Sequence, residues 1–290
     1  MLKEWPLVAF TILGQTAVGV GLFVLLPVCL SGGFRGSGPS REALLPALAL
    51  LLGLLVAASA LSFFHLRHPL RARRVLANFR TSWLSREIFF ELALMGLLAL
   101  ALVLVWTENG AGLFFRLVAG AAVLAGISFL VSMSKLYMLE TLAPWKTAST
   151  MISFSLTALT LGAIAAAWIV RSAAGDRASG LPGLLGASLL FIAVDIFTAA
   201  LLTPFYGALA SRPEPTLRPP ARTLRLLHLG RVTLLALASV LLALSVLPDG
   251  LGASVTPGPG PVLSAAFVLV LAAEVAGRFL FYGLVPRPGD

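Results

Sequence analysis

Apolar residues along this chain run in blocks of about twenty, and polar residues collect between the blocks. Eight blocks are evident, over 7–30, 43–64, 88–106, 112–134, 149–171, 183–205, 226–247 and 261–284. About 20 apolar residues cross the hydrocarbon core of a bilayer as a helix. Lipid offers no hydrogen bonds, so each segment must satisfy its own backbone groups. The pattern therefore predicts an all-α polytopic membrane protein, a bundle of eight transmembrane helices forming a single domain over 1–290. Small-residue rows (Gly14, Gly19, Gly21; Gly120, Gly126; Ala163, Ala167) would let helices approach closely. No internal repeat is visible at the residue level.

Composition agrees. Of 290 residues, 59% are hydrophobic and 11% charged, with mean hydropathy +0.98; a soluble domain carries roughly 25% charged residues. The net charge of +9 does not point to nucleic acid, because the basic residues sit in short connections rather than on one folded face. A lone cysteine, Cys29, rules out a cysteine-held zinc or iron–sulfur centre within the chain. The first apolar block is long and lacks a small-x-small site after it, so no cleavable signal peptide is expected.

Titratable groups concentrate between the second and third blocks. There lie His65, His68, Arg67, Arg71, Arg73, Arg74, Arg80, Arg86 and Glu87, with Glu91 one turn further on. A histidine closing one span and a glutamate opening the next, with Glu91 on the same helical face as a further quinol-binding candidate, could hydrogen-bond a quinol hydroxyl and take its protons at headgroup depth. Glu87 could equally cap the third span and pair with Arg80 or Arg86. His68 reads as interfacial. His65 and His228 could in principle ligate a haem, although a second pair is lacking. Asp195, mid-span, is either a proton-path carboxylate or a hydrogen-bonded link to a neighbouring helix. Glu274 and Arg278 have the i, i+4 spacing of an ion pair. Gln15 could bond a ligand or a helix. Trp5, Trp83, Trp145 and Tyr137 fall where an interfacial belt is expected.

Five stretches, EWPLVAFTILGQ (4–15), HLRHPLRA (65–72), FRTSWLSREI (79–88), KLYMLETLAPWKT (135–147) and EVAGRFLFYG (274–283), together resemble the dimethyl sulfoxide reductase membrane-anchor family. The resemblance implies a haem-free anchor, with no metal of its own, that holds a molybdopterin catalytic subunit and a four-cluster iron–sulfur subunit at the bacterial inner membrane. It implies that menaquinol is oxidised and its electrons passed to the nearest cluster. It implicates His65 and Glu87 in quinol binding, and places Arg71, Arg80 and Arg86 at the quinol headgroup or against the iron–sulfur subunit. Asp195 lies in the stretch from about 150 to 260, where the resemblance is hydropathy alone.

Two expectations on orientation disagree. Sixteen of the 21 Lys and Arg fall on the side of both termini, counting Arg231 and Arg278 with their nearer ends, which predicts cytoplasmic termini. The resemblance implies soluble subunits that are commonly exported. A rival class, an ion-coupled transporter, would use Asp195, Glu274 and Arg278 near the midplane, but the broken helices and paired half-repeats typical of that class are not evident.

Overall fold

The computed structural model describes residues 5–31, 40–65, 78–107, 112–138, 148–174, 180–210, 220–246 and 259–283. Among them the chain forms eight helices: α1 (Trp5–Ser31), α2 (Arg41–His65), α3 (Trp83–Trp106), α4 (Leu113–Tyr137), α5 (Ala148–Ala174), α6 (Leu181–Ala210), α7 (Ala221–Val246) and α8 (Pro259–Gly283). All eight are long and apolar enough to cross a membrane. The protein is a multi-pass membrane protein.

Helix ends depart most from the hydropathy pattern at α3, α6 and α7, by five residues each. α3 starts at Trp83, five residues before the apolar block, because Ser82 caps it. The Ser82 backbone is extended (φ −112°, ψ 124°) and its Oγ accepts from the Ser85 amide. α6 runs on to Ala210 despite Pro204, whose missing amide withdraws one hydrogen bond from the helix. Headgroup depth tolerates charged and polar helix that hydropathy alone does not count.

The helices pack as two rings of four. In the first, α1 touches α2, α2 touches α3, α3 touches α4 and α4 returns to α1; in the second, α5 to α8 repeat that circuit. The rings meet where α1 and α5 cross. One apolar core fills the first ring and reaches α5 through Phe154, Ala158 and Ala166. A second fills α5–α8 and takes in Val8 and Ile12 of α1. The crossing is set by Gly19 and Gly162. A Cβ on either would collide with the backbone of the other helix. Gly14 makes room for Phe129 and Met133, whereas Gly21 faces open space. Gly19 thus fulfils the small-residue expectation most fully, together with Gly162, which the pattern did not single out.

Two arginines on the face away from the termini close helix ends. Arg41 donates to the carbonyls of Val105 (3.2 Å) and Trp106 (3.0 Å) at the end of α3. Arg116 donates twice to the Cys29 carbonyl (3.1 and 2.9 Å) near the end of α1. Both satisfy carbonyls that a helix terminus leaves without an amide donor.

Candidate functional site

Successive residues of a helix point about 100° apart, and α3 uses this to sort the charges of its first turns. Arg86 turns outward. Its guanidinium donates to the carbonyls of Phe79 (3.0 Å) and Arg80 (2.8 Å) and lies 4.2 Å from the centre of the Trp83 ring. Glu87 and Glu91 turn inward and are 2% and 6% exposed. Neither Arg80 nor Arg86 pairs with Glu87. The two arginines line a groove of about 460 Å³ on the outer face of α3 and α4, with Phe79, Trp83 and Phe90.

Glu91 accepts a 2.7 Å hydrogen bond from Ser59 of α2. That bond fixes the register of the two antiparallel helices. His65 lies six residues beyond Ser59, about 9 Å along α2 at 1.5 Å per residue, so its backbone reaches the level of the first turns of α3 around Glu87. The His65 side chain, and Arg71 and His68 entirely, lie outside the described residues. Glu87 Oε1 is enclosed and has no hydrogen-bond partner among the described residues. A buried carboxylate oxygen left unbonded costs free energy, on the order of 1–3 kcal/mol or more for a charged group.

Beneath Glu87 lies an aromatic cluster. Tyr137 of α4 packs on Phe154, Phe281 and Tyr282 with ring centroids 5.6–5.8 Å apart. Tyr137 and Tyr282 are both near enough to Glu87 to feel its charge. Tyr137 therefore faces inward, against the belt expectation. Trp5 and Trp83, 52% and 38% exposed, do lie at the rim; Trp145 lies outside the described residues.

A second polar group spans both rings. Arg278 of α8 stacks 3.7 Å from the Phe154 ring centre and donates to Gln15 (2.7 Å) and Thr157 (3.2 Å). Thr157 lies 2.6 Å from a Glu274 oxygen. Glu274 faces Arg231 at 3.5 Å, and Arg231 holds both oxygens of Asp195 at 2.8 and 3.0 Å. The expected direct Glu274–Arg278 ion pair is replaced by this relay through Thr157 and Arg231. The neighbouring helices α5 and α7 offer closer partners than the helix's own next turn. Asp195 is linked to a neighbouring helix, and Gln15 holds a helix through Arg278. His228 lies 3.0 Å from Thr203 Oγ1 and stacks on Tyr206 at 4.5 Å.

The model of the DMSO reductase anchor subunit family (DmsC) matches residues 1–284. The chain belongs to that family. Curated relatives include the C subunit of the anaerobic dimethyl sulfoxide reductase of Escherichia coli (strain K12), 30% identical over 97% of this sequence and 94% of that protein. A second protein of that organism, the anaerobic dimethyl sulfoxide reductase subunit YnfH, is also 30% identical, over 97% and 94%. The C subunit of the anaerobic dimethyl sulfoxide reductase of Haemophilus influenzae (strain ATCC 51907 / DSM 11121 / KW20 / Rd) is 30% identical over 98% and 95%. No solved structure matches significantly. In this anchor subunit the transporter reading gains nothing, since Asp195, Glu274 and Arg278 are all taken up in pairs between helices.

Sequence reasoning missed Ser59, Arg231 and Thr157. Ser59 was visible as a polar residue inside an apolar run, and Arg231 as a charge three residues past His228 on one helical face. Their partners, 32 and 36 residues away, left no local signal.

Proposed function

We propose that this anchor subunit oxidises a quinol, of the menaquinol class, beneath the α2–α3 connection. Its electrons pass to an iron–sulfur subunit docked over the basic connections, and from there to a molybdopterin catalytic subunit, in the bacterial inner membrane. The observation that carries the reading is Glu87, enclosed near the rim of the bundle with one oxygen unbonded. Oxidising a hydroquinone releases two electrons and two protons. Glu87 hydrogen-bonds one hydroxyl and accepts its proton; His65, at the same level of α2, serves the other. Glu91, tethered by Ser59, steadies the wall behind them. The aromatic cluster around Tyr137 supplies the flat apolar surface that a quinol ring needs. Arg71 belongs to the same basic connection. Arg80 and Arg86, on the outer groove, face lipid headgroups and the docked subunit rather than the ring of the quinol.

The test is Glu87→Gln in membranes holding the whole complex. A positioned acid or base contributes typically 10²–10⁴-fold, so quinol-dependent turnover should fall about 100-fold. Turnover driven by an artificial dye feeding the soluble subunits directly should be unchanged. Parental quinol-dependent rates in both Glu87→Gln and His65→Ala would overturn the reading.

A further inference from the structure

A second cavity, of about 410 Å³, opens between α5 and α6 on the side of the bundle that carries the Glu87 site. Ser153, Leu202 and Phe205 border its mouth, and Asp195, His228 and Arg231 lie deeper. Leu202 and Phe205 are 40% and 48% exposed, so the opening faces the acyl chains. Pro204, which breaks the hydrogen-bond ladder of α6, falls between them.

The two rings share one order of helix contacts, and four spans return the chain to its starting side, so α1 and α5 begin on the same side. In the first ring the buried polar cluster lies on its second and third helices, with Ser59 on α2 and Glu87 and Glu91 on α3. In the second ring it again includes the second and third helices, with Asp195 on α6 and His228 and Arg231 on α7, and extends to Thr157 on α5 and Glu274 and Arg278 on α8. The volume falls within the roughly 300–1,000 Å³ of small-molecule sites.

The chemistry of the floor narrows the occupant. Arg231 is already neutralised by Asp195 and Glu274, and Glu274 is balanced in turn by Arg278 beyond Thr157. Each guanidinium already faces a carboxylate or its hydrogen-bonded neighbours, so neither is presented to the cavity as an open phosphate clamp. What remains is hydrogen bonding and a flat wall. Arg231 Nε is enclosed and unpartnered among the described residues, beside Gly277, where a Cβ would press on it at 3.0 Å. The stacked rings of Tyr206 and His228 form the wall.

We infer that this wedge is a second binding site, for a neutral, flat, hydrogen-bonding head on a lipid-soluble tail, the quinone and quinol class. The inference rests on the proposed function for the class of ligand, and assigns no redox step to the second site. The intact complex in nanodiscs would be photolabelled with a prenylated azidonaphthoquinone and the labelled peptides mapped. Label is expected on two clusters, one on α2–α3 and one around Leu202, Tyr206 and His228. Leu202→Trp should cut label in the wedge at least tenfold and leave the α2–α3 label alone. Leu190→Trp, 59% exposed on the same helix but away from the cavity, should change neither. Wedge label with none on α2–α3 upholds this inference and overturns the Glu87 site. No wedge label above that near Leu190, or wedge label displaced by unlabelled phospholipid as readily as by unlabelled quinone, overturns this inference alone.

Discussion

Replacing Asp195 by leucine, which keeps the same branched heavy-atom skeleton, removes one end of the buried relay and leaves Arg231, 7% exposed, facing Glu274. The lost contacts are two charge-assisted bonds of 2.8 and 3.0 Å from one nitrogen. Hydrogen bonds to charged groups are worth about 1.5–3 kcal/mol each, and removing one partner of a buried pair costs about 3–5 kcal/mol. Because Glu274 remains 3.5 Å away, the lower end applies, about 3 kcal/mol. Arg231→Met costs more, about 5 kcal/mol, since it leaves both Asp195 and Glu274 without that cation. The double variant removes the pair together and keeps the Thr157 contact to Glu274, so it should cost less than the sum of the singles by at least 3 kcal/mol. The assay is a thermal scan of the full chain in detergent with a thiol-reactive dye. Cys29 is the only cysteine and is half-buried, so it reports unfolding. At about 2–4 °C per kcal/mol, Asp195→Leu should lower the midpoint by roughly 6–12 °C. Additive singles, or midpoints within about 2 °C of the parent (roughly 1 kcal/mol), would refute the argument.

Other outcomes follow from the same contacts. Gly162→Val should destabilise by at least the 1–3 kcal/mol of an overpacked core, because the atoms it meets are the Gly19 backbone, which has no rotamer to yield; the same dye scan reads it. Ser59→Ala strips Glu91 of its 2.7 Å bond and should lower quinol-dependent turnover by less than Glu87→Gln does, with dye-driven turnover intact. Arg86→Ala frees the carbonyls of Phe79 and Arg80, and limited proteolysis should cut between α2 and α3 at least several-fold faster. Reporter fusions at both ends should give the same side, and by charge placement that side is the cytoplasm; a periplasmic result would mean that docking the soluble subunits outweighs the charge rule.

The architecture was readable from sequence because lipid punishes every alternative to a helix, so hydropathy alone locates spans. Helix starts were less readable: Ser82 capping and the inner turn of α3 are decided by hydrogen bonds that hydropathy does not score. Glu87 stood out by its place at the start of the third span and Glu91 by its one-turn spacing from it, and their inward orientation follows from the helical period once Arg86 is anchored outside. The separation of Arg80 and Arg86 from Glu87 was not readable, because a run of charges in a connection says nothing of which side of the helix meets protein. Pairing was least readable of all. Glu274 and Arg278 have the spacing of partners, yet each finds a better one on another helix, and only the packing of α5, α7 and α8 decides that.

The Asp195–Arg231 bond also bears on how the protein enters the membrane. A lone charge at mid-span costs about 3 kcal/mol to insert, and these two residues leave the ribosome 36 positions apart. α6 and α7 should therefore partition into the bilayer as one hairpin, each excusing the other's charge. α8 then has a waiting berth, since Arg278 closes onto Gln15 of α1, which leaves the ribosome well before it.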